Sequence, residues 1–322
     1  MAKDIEQITL KSGLNLTVGH FGLGLFGQGA GSPKREIHDG DTAILHGPGN
    51  TSVRLLGVDA PESSYRLPGA KPTSFTPISN PKWETFLSDP PADKAVGTKI
   101  KAFPGGLLAH LSARWGPGTA TNHIKHADAA TKEFEAQVIA DQTRLGQTDA
   151  AFRYFLAFAY EILDRYGRLL AYINVEQKAK PRPLDYNGRL LKAGLVTPYF
   201  IWPNIDPFLT KPDIMNAVID PFTAKTEAER AGKLKDARQA VRAARQKKIG
   251  LYEAADPLRL LPFELRFLAE GRPPARWVID LSKNDDQLIP PTEYFTIPNP
   301  EDRLFVAEDR IPLFLAKGWK KA

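Results

Sequence analysis

Four carboxylates and one arginine fall between Asp39 and Glu62, around two short apolar segments. The run reads Ile37-His38-Asp39-Gly40-Asp41-Thr42, then Val53-Arg54-Leu55-Leu56-Gly57-Val58-Asp59-Ala60-Pro61-Glu62. Carboxylate oxygens are the ligands of hard divalent cations. An arginine fork holds a phosphate through two hydrogen bonds. A metal, a fork and a spare carboxylate together can hydrolyse a phosphodiester. Asp39 and Asp41 are two apart, which puts both on one face of extended chain. Asp41 and Asp59 are the expected metal ligands. Two carboxylates with carbonyls and water suit Ca2+, and the same hard set accepts Mg2+ or Mn2+. Arg54 and Asp59 are five apart, so strict alternation sends them to opposite faces. They share a site only if the strand ends, bulges or twists at Gly57.

The elements that position these residues are short. Ala43–Leu45 and Ser52–Val58 predict a hairpin turning through Gly47-Pro48-Gly49-Asn50. Strand patterns recur over 8–26 and at Leu169–Asn174. Residues 127–145 and 187–195 predict helices, as do Lys82–Leu87 and Leu107–Arg114 more briefly. Residues 225–248 predict one long basic helix stopped by Gly250. Trp277–Leu281 and Tyr294–Ile297 predict two late strands. The Gly22, Gly24 and Gly27 pattern runs into Gly29 to Pro33, so no helix opens there and no dinucleotide site is expected.

The first block resembles the thermonuclease (staphylococcal nuclease-like) family. A second block supports the resemblance, Asp164-Arg165-Tyr166-Gly167-Arg168-Leu169-Leu170-Ala171-Tyr172-Ile173. Weaker matches follow at Asn187–Val196 and at Ala237–Arg242 through Gly250–Tyr252. The resemblance implies an α+β chain built on an OB-fold, a five-stranded β-barrel with helices. It implies calcium-dependent endonuclease activity on DNA and RNA, single strands favoured, leaving 3′-phosphates. Arg54 and Arg168 then clamp the phosphate, and Glu62 activates water. The backbone carbonyl of Ala60 joins Asp41 and Asp59 on the metal, with Asp39 beside them. Ala60 itself departs from the threonine common in the family. Arg165 and Tyr166 are expected to line the nucleotide pocket. Tyr199, Phe200 and Trp202 form an aromatic cluster on which bases could stack. The alternative is a non-cleaving module that binds nucleic acid or protein.

The resemblance covers 37–254 apart from an insert at about 63–125. Residues 1–36 are an N-terminal extension, and 255–322 a small C-terminal α+β module. That module is expected to pack on the nuclease domain or a protein partner and to add no catalytic residue. A chain ending at 254 is therefore expected to keep cleaving.

Composition narrows the classes. With no cysteine, disulfides, thiol catalysis and cysteine-bound metals are excluded. No apolar run suits a membrane span, so no membrane association is expected. The N-terminus lacks an apolar signal core, which predicts an intracellular protein if Met1 is the start, with a secreted mature form as the alternative. The net charge of +6 is concentrated in 225–248, where nine Lys/Arg face three Asp/Glu. That excess suggests a nucleic-acid patch. His123 and His126 are three apart without a partner cysteine and predict a surface loop or helix start.

Overall fold

The computed structural model describes residues 5–10, 15–23, 31–46, 50–164, 167–179 and 181–322. The chain is α+β. Strands β1 (Ile5–Thr9), β2 (Asn15–Leu23), β3 (Ile37–Asp39), β4 (Thr42–His46) and β5 (Asn50–Leu55) come first. After β6 (Gly57–Asp59), β7 (Arg153–Ala157) and β8 (Leu169–Val175) complete a seven-stranded sheet of order β1-β2-β7-β8-β5-β4-β3. Because β2 also pairs with β4, five strands close into a ring, β2-β7-β8-β5-β4. Every contact around it is antiparallel except β5 with β8. Period-2 alternation turns Val53 and Leu55, Ala43 and Leu45, and Leu169, Ala171 and Ile173 into the core.

Helices α1 (Pro81–Ser88), α2 (Gly105–Ser112) and α3 (Thr119–Leu145) lie between β6 and β7. Ala130, Phe134 and Val138 repeat every four residues along α3 and seal the ring's core. This helix begins eight residues earlier than its apolar pattern predicts, directly after Gly118. His123 and His126 thereby fall in its first turns, the helix start of the expectation and not its surface loop, and they lie on the buried face.

Helix α4 (Tyr186–Ala193) leads into β9 (Thr197–Trp202). The predicted basic helix is two: a short turn Ala224–Ala228, then α5 (Lys233–Lys247). The break is at Gly232, where φ is +153° and a Cβ would lie 2.7 Å from Asp206 Oδ2. The same Asp206 oxygen accepts the Lys233 N–H at 2.7 Å, satisfying one free donor at the helix start.

Residues after 255 form α6 (Pro262–Glu270), β10 (Trp277–Asp280) and β11 (Arg303–Val306). These two strands extend a second sheet, β10-β11-β9-β6. The predicted strand at Tyr294–Ile297 is instead a 3-10 helix, Pro291–Thr296, set by Pro290 and Pro291. The ring's apolar core continues into Ile279, Leu304, Phe314 and Trp319. A second core joins the insert to the C-terminal residues: Trp83, Phe86, Leu107 and Leu111 pack with Leu260, Phe263, Phe267 and Tyr294. Among the described residues, no helix is long and apolar enough to cross a membrane.

Candidate active site

Gly57 resolves the alternation problem. Strand β5 ends at Leu55, and the chain passes into the second sheet through Gly57 at φ +75°, a conformation that favours glycine. Arg54 and Asp59 then meet directly, Nη2 of the guanidinium on Oδ1 of the carboxylate. The same Nη2 lies 3.3 Å from Asp41 Oδ2.

Asp41 is buried at the start of β4. Its Oδ2 accepts the Ala60 N–H at 2.7 Å and its Oδ1 accepts the Thr42 hydroxyl at 3.1 Å. The Ala60 bond ties the Asp39–Asp41 turn to the Asp59–Glu62 loop. Gly40 makes the approach possible, since a Cβ there would sit 2.4 Å from Ala130 Cβ and 3.0 Å from Ala60 Cβ. Ala60 is therefore small where the turn, the loop and α3 converge. Asp39 Oδ1 accepts the Asp41 N–H at 3.1 Å.

Two residues in the cluster lie outside the sequence expectation. Arg266, on α6, places Nη2 2.7 Å from Asp59 Oδ2 and Nη1 2.5 Å from Glu62 Oε1. The segment after 255 was expected to supply no such group. Asp59 thus has one guanidinium on each oxygen. His123, from α3, accepts the Glu62 backbone N–H through Nε2 at 2.9 Å. Burial, then His126 and Arg266, push His123 down to about 3, so it stays neutral and able to accept.

The charges shape one another. Burial raises Asp39 well above the carboxylate range, and Asp41 and Glu62 add to the rise. Burial also raises Glu62, against the pull of Arg266 and Arg54. Burial would raise Asp41 too, but Arg54 and the Ala60 N–H hold it below its ordinary value. Both arginines are raised, their burial outweighed by the carboxylates. Four carboxylates meet two guanidiniums here, and Asp39 and Glu62, raised first by burial and then by their acidic neighbours, hold a proton more readily than an ordinary carboxyl.

The remaining expected residues are placed differently. Arg168 is held by Asp164 through Nε at 2.8 Å and Nη2 at 2.7 Å, and none of the cluster contacts given above comes from it. Arg165 and Tyr166 lie outside the described residues. Phe200 and Trp202 are 1% and 2% exposed and pack in the core, so they offer no open face to a base. Strand alternation alone did not show that both faces of β9 are covered. Tyr199 is half-buried, stacked on Phe263 at 5.4 Å, and its hydroxyl accepts from Arg276 at 2.9 Å.

Among the described residues, no group of three or more His, Cys, Asp or Glu is arranged to hold a metal ion. Asp41 and Asp59 are nonetheless held together by sharing Arg54, and their carboxylate oxygens are of the kind that hard divalent cations take. No family model matches the chain, and no curated protein is significantly similar to it.

Proposed function

We propose that the chain is a metal-dependent phosphodiesterase that cuts DNA and RNA, preferentially single strands, leaving 3′-phosphates. The observation that carries the reading is the convergence of Asp41, Arg54, Asp59 and Glu62 at one edge of the five-stranded ring. We read that ring as an OB-type barrel, a scaffold suited to nucleic acid. Its single parallel contact, β5 with β8, places Leu170 opposite Arg54.

Asp41, Asp59 and the Ala60 carbonyl would hold the ion, with Asp39 alongside. A bound Ca2+ would supply positive charge to the phosphate and acidify a water. Arg54 binds a phosphate oxygen and offsets charge that develops there. Arg168, freed from Asp164, is the second clamp of this reading. Glu62 takes the proton of the attacking water. Its backbone is fixed by His123 and its carboxylate by Arg266, so the base is positioned before substrate arrives.

A second reading, a non-cleaving binding module, draws on the occupation of both Asp59 oxygens by guanidiniums. One assay separates the two. The full chain is incubated with single-stranded DNA, duplex DNA and RNA, in calcium and in EGTA. Calcium-dependent cleavage supports the enzyme. Cleavage at full rate in EGTA overturns the metal, and binding without cleavage favours the module.

A further inference from the structure

We propose that Arg266 is a phosphate-binding residue of this site, so that the C-terminal segment completes the substrate clamp. The inference rests on the phosphodiesterase reading and adds a fork to it. Arg54 and Arg266 sit on the two oxygens of one carboxylate, Asp59. A carboxylate and a phosphodiester both present paired anionic oxygens, which is why guanidinium forks recognise both. Asp59 is fully buried and in that reading keeps its place as a metal ligand, so a phosphodiester meets the two forks, whose side chains are 18% and 21% exposed, beside it.

Three further observations support the assignment. The Arg266 side chain is 21% exposed, so it is not sealed from solvent. Its base is rigid: Leu265, Phe267 and Leu268 around it are buried in the second core. Arg276, also beyond 255, donates to the hydroxyl of Tyr199 at 2.9 Å, and Tyr199 lies on β9, the strand paired with the one that carries Asp59.

The test measures binding instead of turnover. A fluorescein-labelled phosphorothioate oligo(dT) keeps the backbone charge and resists cleavage. Its anisotropy is titrated with the full chain in calcium at several salt concentrations. Arg266→Gln is expected to weaken binding at least ~10-fold and to lower the slope of log K against log salt by about 0.7, one phosphate contact on a single strand. Arg266→Lys keeps the charge and loses the fork. It is expected to keep the slope and weaken binding severalfold. A residue with only a structural role would change the melting temperature and leave the slope alone. Binding by Arg266→Gln within twofold of wild type, at an unchanged slope, overturns the inference. If Arg266→Gln fails to fold by circular dichroism, Arg266→Lys decides: wild-type affinity overturns the inference, and severalfold loss in a folded protein supports it. Wild-type protein that does not bind the strand at all overturns the phosphodiesterase reading, and the inference with it.

Discussion

Asp39 shows how a single buried carboxyl reports the balance of charge around it. Burial raises its pKa, Asp41 and Glu62 raise it further, and Arg54 opposes them. For an acid whose folded pKa is raised, the stability contribution is full below the unfolded value near ~4. It is lost as pH climbs through the folded value. Asp39→Asn removes that loss while keeping an oxygen for the Asp41 N–H. In EGTA the variant is expected to melt at least about 2 °C above wild type at pH 7. At pH 4 the gain should vanish. A lower melting point at pH 7 would show that the ionised carboxyl is stabilising. Residues near one another in sequence were readable at this scale. Gly57 had to turn the chain if Arg54 and Asp59 were to share a site, and it does. Arg266 was not readable, because it lies 207 residues from Asp59 and one arginine on an apolar helix carries no signal of its destination.

Element boundaries were legible where punctuation was local, as at Gly146 and Gly194, whose left-handed φ ends α3 and α4. The role of α5 was not. Its basic composition suggested a polyanion surface, but Arg238, Arg242 and Arg245 line one face of the helix and turn toward Glu301 and Asp302. Arg238 is 4% exposed and donates to Asp302 and to the carbonyls of Ala228, Leu281 and Glu301. A charge count along the chain cannot see partners sixty residues away. Arg238→Gln leaves Asp302 and three carbonyls short of donors in a buried place. We expect it to cost about 3–5 kcal/mol in a urea melt. The exposed Lys247→Gln should stay within about 0.5 kcal/mol. Equal costs would mean that the buried network is not what holds α5.

At the scale of the whole molecule, the insert and the C-terminal segment are one structure. Neither half of the second core is adequate alone, since Leu107 and Leu111 pack with Phe263, Phe267 and Tyr294. Alternation and turn residues anticipated several of the strands and the helix over the ring's core. The closing of strands into a ring and the meeting of two blocks a hundred residues apart were implied only by the family resemblance, and β2 of that ring falls in the expected N-terminal extension. The union of 63–125 with 255–322 could not be anticipated, because each reads as an irregular appendage. The expectation for a chain ending at 254 is accordingly reversed. Removing 255–322 takes β11 from β9, uncovers Trp202, which packs on Phe314 at 5.0 Å, and strands Arg238. Such a chain is expected to lack a cooperative thermal transition by circular dichroism and to cleave nothing. A cooperative transition with calcium-dependent cleavage would restore the two-part view.

The distance along the chain between Asp59 and Arg266 also sets a schedule. A polypeptide is made from its N-terminus, and its regions fold as they emerge. The carboxylates appear early, together with Arg54, and the guanidinium that bridges Asp59 to Glu62 appears 207 residues after Asp59. Closing so long a loop is also slow. The cluster is therefore incomplete until that later segment has emerged and docked, and under the proposed reading a nascent chain still attached to its own message lacks the full set of residues that would attack it.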